Sequence, residues 1–207
     1  AVLTPGQVDQ LVAALQDDPL RPLYFLALAT GCRRGELVAL RWSDVDWNRP
    51  AITIQRTAAV IDGRVTWSEP KTNRSRRTIP LPAEAVAMLK AHRKAQLEER
   101  LQMGELYADH DLIFARPNGE PLSPSHVTHH FALVVRKAGL PPVRLHDLRH
   151  THATMLLAAG VNPKIVAERL GHSSVVMTLD TYSHVLPTMQ DEVTRKLDVL
   201  LPSAKTP

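Results

Sequence analysis

Between Ala51 and Pro80 the chain changes its rhythm. On either side, apolar residues return at three- and four-residue intervals. Within "AITIQRTAAVIDGRVTWSEPKTNRSRRTIP", β-branched residues dominate and polar turns separate them. This switch limits the architectures open to the chain: a mostly helical body must hold one small sheet. Asp62-Gly63 is a strong two-residue hairpin signal. A third strand, Arg76 to Ile79, follows the polar turn "KTNRS". The expectation is a mainly α fold with a small antiparallel sheet of about three strands.

The helices around it have readable ends. "TPGQVDQLVAALQDD" opens with Thr4 as N-cap and Pro5 at the first helical position. Val8, Leu11, Val12 and Leu15 follow at helical spacing. "PLRPLYFLALATG" is nearly all apolar, so it reads as a buried helix that stops at Gly31. "RRGELVALRWSDVDW" reads as a short helix and a turn. After the sheet, helices are expected at Pro82 to about Leu101, Ser123 to Ala138, His146 to Ala159, Pro163 to Leu170 and Val175 to Tyr182. A last one, Thr188 to Leu200, carries Met189, Val193, Leu197 and Leu200 on one stripe. Met103 to Ala108 reads as a loop. No internal repeat or low-complexity tract interrupts the pattern.

Bulk properties narrow the function classes. A chain of 207 residues can bury one substantial core or two small ones. Lys plus Arg number 25 against 21 Asp plus Glu, a net charge of +4 that permits a polyanionic partner without requiring one. Arginine predominates among the cations, and its planar fork suits phosphate oxygens. Cys32 is the single cysteine, so no intrachain disulfide can form and a reducing compartment is implied. The longest apolar stretch, Leu23 to Ala29, is too short to cross a bilayer. Ala1 to Gln16 places no basic residue ahead of an apolar run, as a signal peptide would. A cytoplasmic location and no membrane partner are expected.

The candidate functional residues sit at element ends. Arg33 follows "ATG", where one helix stops and another begins. Lys71 lies in the polar turn between strands. His146 and Arg149 are three apart and share a helical face. His172 follows Gly171 at a helix junction, and Tyr182 comes ten residues later, in a chain with 4% aromatic residues. Such positions can converge on one point while their elements pack behind them.

Taken singly, each has an ordinary reading. Tyr182 would be a helix-end aromatic, Arg33 a surface or capping arginine, and Lys71 part of a solvated basic loop. Glu36 would be a first-turn acid favoured by the helix dipole. His146 and His150 have metal-pair spacing, but a zinc-protease helix needs His-Glu-x-x-His and Asp147 stands where the glutamate would be. His129, His130, His150 and His152 read as structural or surface residues. The joint occurrence of six such positions is what separates function from coincidence.

The stretches "ATGCRRGELVALRWSDVD", "KTNRSRRTIPLP" and "LHDLRHTHATMLLAAGVNPKIVAERLGHSSVVMTLDTYSHV" resemble the tyrosine recombinases, the phage-integrase family of site-specific DNA recombinases. The resemblance covers most of residues 4–190. It implies that Arg33, Lys71, His146, Arg149, His172 and Tyr182 are catalytic, with Glu36 supporting. It also implies double-stranded DNA as partner, a tetramer on two duplexes, and accessory DNA-bending or directionality proteins. A bacterial or phage-encoded enzyme acting on chromosomal or mobile-element DNA follows. Residues 1–207 would then be one catalytic domain, the C-terminal part of a longer integrase without its N-terminal DNA-clamping domain. Thr188 to Leu200 would cap this domain or dock on a neighbouring protomer.

The chemistry suits the residue types. A phosphodiester repels an attacking phenolate. Two arginines can each offer paired hydrogen bonds to its non-bridging oxygens and offset the charge that builds as phosphorus becomes pentavalent. Tyr182 would attack phosphorus. Lys71 would protonate the leaving 5′ oxygen and His146 would take or relay the tyrosine proton. His172 would hydrogen-bond a non-bridging oxygen, while Glu36 would orient His146 or an arginine. No cofactor and no metal are expected, since the motifs bring no carboxylate cluster suited to two metal ions. Three other readings compete: a type IB topoisomerase, a DNA-binding protein of this fold inactive alone, and, more remotely, a metal hydrolase or protease.

Overall fold

The computed structural model describes residues 1–69, 76–172 and 174–182, together with Thr194, Leu197 and Leu201. The chain opens with α1 (Pro5–Ala14). The Thr4 hydroxyl accepts from Gln7 N, and the Gln7 side chain returns a bond from Thr4 N, so two of the helix's orphan donors are satisfied reciprocally. The helix buries Val8 and Leu11.

Next comes α2 (Arg21–Thr30), which buries Leu23, Tyr24, Leu26 and Ala27 and ends at Gly31 in the left-handed region. A Cβ at Gly31 would lie 2.7 Å from Leu170 Cδ2 and 2.8 Å from His152 Cδ2. Backbone and packing thus both demand glycine there. The five-residue α3 (Arg34–Val38) starts immediately after Arg33. A 3₁₀ turn (Trp42–Asp44) leads into β1 (Val45–Asp46).

The β segment is divided into two ladders. Strands β1, β2 (Ala51–Ile54) and β5 (Arg77–Pro80) form an antiparallel sheet in the order β1-β2-β5. Strands β3 (Thr57–Ile61) and β4 (Arg64–Ser68) form a separate hairpin. Its turn has Asp62 at φ 50° and Gly63 at φ 75°, the pair of positive values that a tight primed turn requires. The third strand therefore pairs with β2 and not with the hairpin. Ile52 faces Ile79 across that ladder, and both are fully buried.

The hairpin rests on α3 at Gly35. There an added Cβ would come within 2.5 Å of Thr57 Oγ1 and 2.7 Å of Ala58 O.

Five helices follow: α4 (Ala83–Met103), α5 (Pro124–Lys137), α6 (Asp147–Ala158), α7 (Pro163–Leu170) and α8 (Val175–Tyr182). Each lies within two residues of its expected bounds. A 3₁₀ turn (Gly104–Leu106) occupies the expected loop after α4. The main core joins Leu11, Leu26, Leu37, Ile52, Ile79, Ile113, Phe131 and Leu148. A smaller one, Ala153, Leu157, Val166 and Leu170, binds α6 to α7. Among the described residues no helix is long and apolar enough to cross a membrane. The expected helix from Thr188 to Leu200 lies outside the described residues, apart from Thr194 and Leu197.

Candidate active site

Two glycine-capped helix ends meet beneath α3. Gly31 closes α2 and Gly171 closes α7, both left-handed. Between them lies Arg149, in the first turn of α6 and only 4% exposed. Its Nη1 donates to Gly31 O and its Nη2 to Leu170 O, each at 2.7 Å. Burial first, then the charge of Arg33, pushes its pKa down to about 10. It remains a cation at neutral pH.

Arg33 is the N-cap of α3, with extended backbone at φ −70° and ψ 150°. Its N–H donates to Glu36 Oε2 at 2.8 Å, and its Nη1 to Glu36 Oε1 at 2.9 Å. The side chain is still 42% exposed. Its Nη2 points towards Gly171 O at 3.5 Å, a long and weak contact.

His172 follows Gly171 directly. Its Nδ1 lies 2.7 Å from the buried Thr178 hydroxyl of α8. Burial, then the charges of Arg149, Arg33 and Arg77, pushes its pKa down to about 4, so the ring is neutral at physiological pH. His146 is the N-cap of α6, exposed, with its ring edge-on to His150 at 5.1 Å. Partial desolvation and the charges of His150 and Arg149 lower its pKa.

The structure thus gathers Arg33, Glu36, Arg149 and His172 about one junction, with His146 at the start of the helix that carries Arg149. Tyr182 is the last residue of α8, the helix that leaves from His172. Lys71 lies outside the described residues. Glu36 accepts hydrogen bonds from Arg33 and Arg77. It is also an acid in the first turn of α3, so the dipole reading holds at the same time.

Sequence reasoning missed Arg77. It opens β5 with its side chain only 7% exposed. It donates to both Glu36 oxygens, at 3.1 Å and 2.8 Å, and through Nε to Arg169 O at 2.7 Å. Burial alone would raise the Glu36 carboxyl, but the Arg77 fork and the Arg33 N–H outweigh it and hold the pKa low. Cys32 lies against Arg77, its thiol pushed up to about 11 by burial and therefore neutral.

Arg169 ties the junction together from behind, donating to Ala29 O, Pro80 O and His152 Nε2. A cavity of about 740 Å³ opens beside this cluster, lined by Arg76, Arg77, Lys164, Glu168 and His172 among others. Two or more exposed or half-exposed cations on one wall suit a polyanion. Among the described residues no group of three or more His, Cys, Asp or Glu side chains is placed to hold a metal ion.

The family model for the phage integrase family matches residues 1–189. The chain belongs to the phage integrase family. A tyrosine recombinase XerC-like protein of Caldanaerobacter subterraneus is 33% identical over 94% of this chain and 53% of its own length. The ICEBs1 integrase of Bacillus subtilis is 31% identical over 95% of this chain and 54% of its own. Among solved structures, the Tn1549 transposon integrase in complex with transposon right end DNA is 26% identical. It superposes with a TM-score of 0.81, covering 94% of this chain and 65% of that one. The XerA recombinase shares the fold, with a TM-score of 0.74 at 24% identity over 93% of this chain and 64% of that one. The chain spans about half the length of each of these two relatives.

Proposed function

We propose that the chain is the catalytic domain of a site-specific DNA recombinase, which cuts and rejoins DNA strands through a covalent 3′-phosphotyrosine. The observation that carries this reading is the junction itself. Arg33, Arg149 and His172 converge at the start of the helix that ends in Tyr182, and the buried carboxylate of Glu36 stands beside Arg33.

A scissile phosphate set against this junction meets fork donors from Arg33 and a neutral imidazole from His172. Tyr182 Oη attacks phosphorus, the bond to the 5′ oxygen breaks, and the phenol proton passes to His146. Lys71 gives a proton to the departing 5′ oxygen. The phosphotyrosine keeps the energy of the phosphodiester, so the reverse attack by a 5′ hydroxyl reseals DNA without ATP. For His172 to donate from Nε2, Nδ1 must accept, and the Thr178 hydroxyl is placed to donate to it. Assembly as a tetramer on paired recombination sites, with accessory DNA-bending proteins, completes the reading. So does a longer integrase in which an N-terminal clamping domain grips the opposite face of the duplex.

A nicked suicide duplex, in which the released segment diffuses away, tests it. The protein is expected to form a covalent adduct with such DNA, and Tyr182→Phe to bind the duplex but form none. An adduct with the Phe variant would assign the nucleophile elsewhere.

A further inference from the structure

This inference rests on the recombinase reading and concerns Arg77, to which that reading gives no role. We propose that Arg77 is a positioning residue: it occupies Glu36 so that Arg33 keeps its charge for the DNA phosphate.

Glu36 receives four hydrogen bonds. Oε1 takes Arg33 Nη1 and Arg77 Nη1, while Oε2 takes the Arg33 N–H and Arg77 Nη2. The two arginines do not share the carboxylate equally. Arg77 meets it as a planar two-pronged fork, with both side chains buried at 7% and 6% exposure. Arg33 gives only one guanidinium N–H and stays 42% exposed. The Glu36 charge is therefore balanced chiefly by Arg77, and the outward edge of Arg33 remains cationic.

Arg77 cannot leave this post. Its Nε is tied to Arg169 O at 2.7 Å, and its side chain packs closely against Gly171. A Cβ at Gly171 would stand 3.0 Å from its Nη1. With Arg77 removed, a buried carboxylate loses two donors, a cost that drives it to the nearest remaining cation. That cation is Arg33. Drawn into a bidentate pair with Glu36, it would be neutralised and turned away from phosphate.

The test compares Arg77→Met, Arg77→Lys and the double variant Glu36→Gln/Arg77→Met for adduct formation on the suicide duplex, alongside DNA binding and melting temperature. Wild-type protein that forms no adduct overturns the recombinase reading itself, and this is read before any variant. Arg77→Met should form adducts about 100-fold more slowly, with binding changed far less, because the loss is of transition-state charge stabilisation. The double variant should recover at least about tenfold of that rate, since a neutral amide cannot neutralise Arg33. A merely structural role predicts that rate follows stability, any recovery in the double variant being matched by recovery of melting temperature as the unpaired buried charge is removed. The positioning role predicts that, among folded protein at a temperature well below melting, the rate still recovers. If Arg77→Met does not fold, the same comparison is made with Arg77→Lys and Glu36→Gln/Arg77→Lys, since lysine keeps the charge but not the planar fork. Folded single and double variants with equal rates, or a single variant within about threefold of wild type, would overturn the assignment.

Discussion

Arg149 carries a full charge into a closed site where its partners are carbonyls, Gly31 O and Leu170 O. Both carbonyls stand at helix C-termini, where the backbone dipoles present their negative ends. The cation therefore stabilises the junction while serving it. Arg149→Ala should lower stability by about 2–4 kcal/mol, by leaving two buried acceptors unpaired, and should abolish adduct formation as well. Arg33→Ala should cut adduct formation about 100-fold yet shift stability by about 1 kcal/mol or less, as expected of a half-exposed ion pair. Chemical denaturation alongside the suicide assay separates the two. Thr178 is the second residue-scale case. Thr178→Val keeps the shape but removes the hydroxyl beside His172 Nδ1, and should slow adduct formation about tenfold by releasing the tautomer, with Thr178→Ser restoring it. In the sequence, Arg33 and His172 could be picked out because they sit beside glycines that end helices, and Arg149 because it stands three residues after His146 on one helical face. Arg77 could not. A strand arginine beside the basic turn "KTNRS" looks solvated, and only the docking of β5 against α3 and α7 buries it. Thr178 was equally hidden, one hydroxyl among several on α8.

At the scale of elements, the helices were legible and the pairing of the strands was not. Caps such as Thr4 and stops such as Gly31 are local, so they can be read in a short window. Which strand β5 would join is decided by Ile52 and Ile79 meeting in the core, a contact across 27 residues that no window contains. The joint of α2, α6 and α7 has its own chemistry. His152 Nδ1 lies 2.8 Å from Leu28 O, which only accepts, while Nε2 accepts from Arg169 Nε at 3.2 Å. This fixes a neutral ring with its proton on Nδ1. Burial, then Arg169, pushes its pKa down to about 4. The unfolded chain, with an ordinary histidine, binds the proton at higher pH. The contribution of His152 to stability is therefore full above about pH 6.5 and falls as pH drops towards 4, by on the order of 3 kcal/mol at most. His172 adds in the same direction. Melting temperature followed from pH 7 to pH 4 should decline, and His152→Gln should flatten the decline. An unchanged slope in that variant would assign the acid sensitivity to other groups.

For the whole molecule, a mild net charge of +4 conceals a local concentration of arginine, Arg33, Arg77, Arg149 and Arg169, about the junction of α2 and α7. Binding that relies on phosphate contacts is strongly salt-dependent. The 207-residue chain alone should bind duplex DNA weakly, losing affinity steeply between low and physiological salt, with a log–log slope that falls by about one for each phosphate-contacting cation removed. Titration by fluorescence anisotropy at several salt concentrations measures it. Tight, salt-insensitive binding would contradict the single-faced grip proposed for this domain.

The carbonyl cage around Arg149 has a consequence for how such a protein can decay. In most enzymes a lineage can lose its chemistry and keep its shape, leaving a folded descendant free to acquire another occupation. Here the route depends on which arginine goes first. Loss of the half-exposed Arg33 leaves the scaffold standing, a silent protein still able to sit on DNA. Loss of Arg149 removes the cation that holds two helix ends together, so that descendant is cleared as misfolded chain before it can be put to use. Inactive but persistent relatives of this chain should therefore keep Arg149 long after Arg33 has drifted.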